Sequence, residues 1–185
     1  MQVRSCGGIS ANSTALLQEI LPDRNVKTKE MSQKKIMGYE KGERQMRTRR
    51  LGKTGLMVSE IGFGGEWLER HPEEESIELI KYASKKGINI LDCWMADPKS
   101  RNIIGEGIKE NRSQWVIQGH IGSTWKDNQY FRTRDMKYVR PAFEDLLKRL
   151  QTDYIDLGMI HYVDSEEEWE KIQHSDYLDY VMELK

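Results

Sequence analysis

Cysteine is scarce in this chain. The two that occur, Cys6 and Cys93, lie far apart and neither belongs to a CxxC pair. Neither a zinc ligand set nor a disulfide framework is expected from them. Long apolar runs are missing too: nothing approaches the roughly 20 consecutive apolar residues that a membrane helix needs. No basic-then-apolar segment opens the chain, so secretion is not expected and a reducing cytoplasm is the expected setting. Charge of one sign is not in excess either, since 29 Lys and Arg meet 30 Asp and Glu for a net charge of -1. With 32% charged and 37% hydrophobic residues, this is an ordinary, slightly polar composition for a soluble protein.

A chain of 185 residues can bury one modest core, or one domain plus a tail. Residues 1–45 read as the tail. Only Ala15-Leu16-Leu17 and Ile20-Leu21 offer apolar surface there, and from Lys27 to Arg50 the chain is basic. The expectation is a disordered or weakly structured basic arm; sequence upstream of a start at Met46 would look the same. Apart from Tyr39 the run has no interleaved aromatics, so nucleic acid is not an expected partner.

Regular patterning begins at Met46. Gly52-Lys53-Thr54-Gly55 separates two short extended segments, Arg47–Leu51 and Met57–Ile61, which predicts a β-hairpin. Ile61-Gly62-Phe63-Gly64-Gly65 follows as a first strand. Pro72 and the acids Glu73, Glu74 and Glu75 open a helix whose buried face is Ile77, Ile80 and Tyr82-Ala83, and Gly87 ends it. Further helices are predicted over about 100–110, about 133–151 with a kink at Pro141, and from the capping box Ser165/Glu168 onward. A longer loop, about 120–132, carries Trp125, Tyr130 and Phe131 toward the rim. The chain stops at Met182-Glu183-Leu184-Lys185 without a cap, so the sequence reads as cut short.

Three apolar runs end in residues that handle protons. They are Ile88–Asp92, Trp115–His120 and Tyr154–His161. Strand–helix units place the downstream ends of parallel strands on one rim, and an α/β barrel does its chemistry there. Asp92, His120 and His161 are therefore expected to share a site. The count is about four β/α units after an N-terminal hairpin, which predicts an α/β fold and part of a (β/α)8 barrel.

The motifs resemble the aldo/keto reductase family. The matches are Arg50-Leu51-Gly52-Lys53-Thr54-Gly55-Leu56-Met57-Val58-Ser59, then Ile61-Gly62-Phe63-Gly64, then Gly87–Asp92, and finally Arg149–Leu157 with His161. They cover residues 46–185 as the first half of that family's barrel. The chain looks closest to a branch whose longer members carry a C-terminal ferredoxin-like iron–sulfur module, although no such module or cluster is encoded here. The resemblance implies an oxidoreductase using NADP(H) on a small-molecule carbonyl or alcohol. It also implies an aspartate, tyrosine, lysine and histidine around the nicotinamide. Asp92 matches the aspartate and His161 the histidine. His120 takes the lysine position, and the tyrosine falls within Met95–Pro98, nearest Asp97. Gly64 and Gly65, followed by Glu66, match the segment that lines the nicotinamide ribose beside Asp92. The family's grip on the pyrophosphate and 2′-phosphate belongs to the other half, so weak NADP(H) binding is expected of this chain alone.

Two other functions fit the same residues. One is a non-catalytic half barrel that pairs its open sheet edges into a homodimer. Alternatively Asp92, His120 and His161, with Glu66, have the donor types of a two-histidine, carboxylate metal enzyme. The leading reading assigns no metal.

Overall fold

The structure is a computed structural model that describes residues 45–185. The expectation of a basic arm lies outside these residues, Gln45 excepted. The predicted hairpin is present: β1 (Thr48–Arg50) pairs antiparallel with β2 (Met57–Ser59), Arg49 facing Val58. Gly52 and Gly55 turn the chain at φ 51° and 84°, a region that costs glycine little.

Next comes β3 (Phe63–Gly64), shorter than the sequence suggests, and helix α1 (Glu73–Lys85). Ser76, Ile80 and Ala83 form its buried face at the i, i+4, i+7 spacing. Tyr82 was expected inward; the helical turn carries it off that stripe, and it is 53% exposed. Strand β4 (Ile90–Cys93) and helix α2 (Pro98–Ile108) form the second unit. Strand β5 (Val116–Ile121) opens the third.

Here the structure departs from expectation. Instead of a loop, residues after β5 form a second hairpin, β6 (Ser123–Lys126) against β7 (Gln129–Arg132). Lys126 pairs with Gln129, leaving Asp127-Asn128 as a two-residue turn with φ 51° and 59°. Positive φ at both central residues matches the twist of a tight hairpin, and Asp and Asn tolerate it best among residues with a side chain.

Helix α3 (Met136–Leu150) begins where the Asp135 carboxylate accepts a hydrogen bond from the Lys137 amide at 2.9 Å. It runs on through Pro141, whose ring lies on the exposed side. Val139, Leu146 and Leu150 are its buried stripe. Strand β8 (Leu157–Ile160) follows, then α4 (Glu166–Gln173), capped by Ser165, and α5 (Asp176–Glu183). The Glu168 half of the expected capping box reaches the Asp164 amide rather than that of Ser165.

One sheet holds the four parallel strands in the order β3-β4-β5-β8. Chain neighbours are thus sheet neighbours, as in a barrel wall, with the hairpin β6-β7 set between β5 and α3. Leu91 and Ile117 from the sheet pack against Ile80, Ile103, Ile104, Ile108, Leu146 and Leu150 of the helices. A second cluster of Ile121, Val139, Ile172, Tyr177 and Tyr180 seats α5 under the rim. Among the described residues, no helix is long and apolar enough to cross a membrane.

Candidate active site

Strand register accounts for the site. Asp92 of β4 stands opposite Gln118 of β5, and His120 of β5 stands opposite Met159 of β8. Side chains alternate along a strand, so Gln118 and His120 share a face, as do Met159 and His161. The three residues chosen from sequence therefore converge. His120 Nε2 lies 2.9 Å from Asp92 Oδ1, and His120 Nδ1 lies 2.9 Å from His161 Nδ1.

Two further side chains complete the group. Gln118 Nε2 donates to Asp92 Oδ1 at 2.8 Å. The Tyr130 hydroxyl, brought in by β7, is 2.6 Å from His161 Nε2. Trp94, just past β4, stacks on His161 with an interplanar angle of 13° and presents its ring at 77° to Tyr130. Fixed backbone holds all of this. The His161 amide donates to the Ile121 carbonyl at 3.0 Å, the buried Tyr177 hydroxyl donates to the same carbonyl at 2.8 Å, and Arg134 donates to the carbonyls of His161 and Tyr162.

Electrostatics order the protons. Burial pushes the Asp92 carboxyl up, but hydrogen bonds from His120 and Gln118 outweigh it, and the net pKa falls below the usual carboxylate value. Burial is also the main reason His161 drops to about 4, helped by His120 and the nearby Arg134 and Arg132. His161 is thus neutral at neutral pH. Burial raises the Tyr130 phenol, which keeps its proton.

These states allow one consistent chain of bonds. An ionised Asp92 only accepts, so His120 donates to it from Nε2. With both imidazoles neutral, His120 Nδ1 accepts from His161 Nδ1–H, and His161 Nε2 accepts from Tyr130. Should His120 gain a proton, every bond beyond it reverses: His120 Nδ1–H donates to His161, and His161 Nε2–H donates to the phenol oxygen. The four residues form a path along which one proton can move.

Asp97 stands apart from this path. Its carboxylate accepts from the Ser100 amide at 2.8 Å and caps α2, with Pro98 in the first turn. Gly65 donates its amide to the Asp92 carbonyl at 2.9 Å and is packed so closely that an added Cβ would sit 2.7 Å from that oxygen. Gly64 pairs with Asp92 across the sheet and is open, with nothing within 4 Å of a Cβ built there. Glu66 is half-buried and takes no part in the bonded path. Among the described residues, no group of three or more His, Cys, Asp or Glu side chains is arranged to hold a metal ion.

Sequence reasoning missed Gln118 as a partner, although it lies two residues before His120 and so on the same strand face. It placed Tyr130 only on a loop toward the rim. The Asp127-Asn128 turn signal between two short aromatic-bearing segments, Trp125 on one side and Tyr130-Phe131 on the other, is the pattern that would have placed this tyrosine on a strand.

Parallel strand–helix units in chain order, with polar residues at the strand ends, make up part of an α/β-barrel architecture. The profile of the aldo/keto reductase family matches residues 60–185, and the chain belongs to that family. The aldo-keto reductase YhdN of Bacillus subtilis is 38% identical over 120 residues, which are 60% of this chain and 36% of that protein. Among solved structures, a Pseudomonas aeruginosa protein assigned to the aldo-keto reductases superposes with a TM-score of 0.65 at 31% identity, covering 75% of this chain and 55% of that one. A Klebsiella pneumoniae aldo-keto reductase in complex with NADPH gives a TM-score of 0.51 at 21% identity, covering 69% of this chain and 45% of that one, a likeness of fold alone. The chain thus spans a little over a third of the length of its Bacillus relative and about half that of the solved structures.

Proposed function

We propose that this chain provides the carbonyl-binding side of an NADP(H)-dependent oxidoreductase acting on small aldehydes, ketones or the matching alcohols. The carrying observation is the continuous hydrogen-bonded path from Asp92 through His120 to His161 at adjacent parallel strand ends. Nicotinamide, when bound, supplies or accepts the hydride. The residues present suit its reactive end: Gly64 offers an open backbone ledge beside Asp92, where a flat ring and its ribose can approach closely. The family's holds on the pyrophosphate and 2′-phosphate have no counterpart assigned here, and binding by this chain alone is taken to be weak.

This chain's own residues do the proton chemistry. Asp92 stays ionised and accepts the hydrogen bond of His120 Nε2. His161, neutral and stacked on Trp94, relays a proton from His120 toward the rim. A carbonyl oxygen at the end of the path is polarised as negative charge develops on it, which is where a preorganised donor lowers the barrier most. The tetrad of the resemblance is therefore altered in its members while the task of proton delivery is kept.

The test is to incubate the intact gene product with NADPH and a panel of aldehydes and ketones, and to measure the alcohol formed. Turnover by the wild type, with Asp92→Asn slower by roughly 100-fold, supports the reading. No alcohol from any carbonyl at saturating NADPH overturns it.

A further inference from the structure

We propose that Tyr130 is the proton donor to the substrate oxygen, supplied from the β6-β7 hairpin and recharged through His161 and His120. The inference rests on the reductase reading above. Its ground is geometric: among the described residues, the Tyr130 hydroxyl is the phenol bonded to the strand-end path, 2.6 Å from His161 Nε2. The other side chain at the position the resemblance assigns to a phenol, Asp97, is an N-cap. A capped carboxylate is an acceptor and repels a developing oxyanion.

Hydrogen-bond direction decides when the phenol can donate. While His120 is neutral, the Tyr130 proton is spent on His161 Nε2. A proton on His120 reverses the chain, His161 Nε2–H then donates to the phenol oxygen, and the phenol hydrogen turns outward. Tyr130 is placed for this by its own strand. It pairs with Trp125 across the hairpin, and its ring meets the Trp94 ring with centroids 5.5 Å apart. Alternation puts the neighbouring Phe131 on the opposite face, against Tyr138 at 5.8 Å between centroids.

The step balances as follows. The carbonyl carbon gains a hydride from reduced nicotinamide, which is oxidised as the carbonyl is reduced, and the carbon–oxygen π bond opens onto oxygen. The Tyr130 O–H bond breaks and its proton joins that oxygen. The phenol oxygen takes the proton from His161 Nε2, and His161 Nδ1 takes the one from His120 Nδ1. His120 ends neutral against Asp92 and regains a proton from water. In alcohol oxidation every transfer runs backward.

The test compares wild type with Tyr130→Phe in the intact gene product, since phenylalanine keeps the ring against Trp94 and removes only the hydroxyl. The expected result is a fall of roughly 100-fold or more in kcat, with NADPH affinity unchanged. A Tyr130→Phe enzyme within about twofold of wild-type kcat, a difference too small for a lost general acid, overturns the assignment and leaves the reductase reading intact. A wild type that forms no alcohol overturns both. A second readout needs no turnover: the nitrogen NMR signal of His161 Nε2 in the wild type should report a hydrogen bond shared with the Tyr130 hydroxyl, in one direction or the other. A signal without that bond overturns the proposal even if the variant does not fold.

Discussion

His161 is where burial and chemistry meet most sharply. It is 2% exposed, bonded at both ring nitrogens, and its pKa falls from 6.5 to about 4. The unfolded chain binds a proton at this histidine below about pH 6.5 while the folded chain refuses it until about pH 4. Its contribution is therefore complete above the unfolded value and is lost as pH falls through that window, on the order of 3 kcal/mol. Urea denaturation should show stability declining over that window, and His161→Gln should flatten that part of the curve. Two glycines give a paired expectation at the same scale. Gly65→Ala drives a Cβ into the Asp92 carbonyl and Ile104, and thermal melts should show a loss of about 1–3 kcal/mol. Gly64→Ala meets nothing in the protein, so it should melt as wild type yet weaken NADPH binding in the intact gene product.

The β6-β7 hairpin is the element on which the phenol depends. Its turn holds Asn128 at φ 59°, a conformation that strains a β-branched residue. Asn128→Val should cost roughly 1–2 kcal/mol and lower turnover by loosening Tyr130, whereas Asn128→Gly should leave both unchanged or improved. Melting curves and alcohol formation check the pair. This hairpin was also the least legible part of the fold. The strands around Asp92, His120 and His161 announce themselves as apolar runs, because each is covered by helices. The segment 123–132 is half exposed, and its strand-forming residues come as the adjacent pairs Thr124-Trp125 and Tyr130-Phe131, without the period of two that marks a half-buried strand. Asp97 differs again: an acid before Pro98 is a helix-cap signal, which the structure bears out, while only the resemblance drew it toward the site. Tyr82 shows the limit of adjacency, since its neighbour Ala83 is buried while it faces out.

At the scale of the molecule, four parallel strands in chain order set the rim, and every member of the proton path hangs from β4, β5, β8 or the inserted hairpin. That frame was readable because helix and strand periods alternate cleanly after Met46. The convergence of the site was readable because such sheets gather their strand ends. Side-chain partners such as Gln118 and Trp94 needed register and rotamers, which no pattern prints. On the proposed reading, titrating NADPH fluorescence against the 185-residue chain should show weak binding or none.

The central claim is that Asp92, His120, His161 and Tyr130 are one connected proton path. Nitrogen NMR of the histidine rings across a pH titration tests it most directly. The account requires His161 to stay neutral until the pH reaches about 4, with its Nδ1 coupled to His120 Nδ1 across their shared hydrogen bond whichever of the two carries the proton. A His161 that titrates independently near 6.5, without coupling to His120, would contradict it.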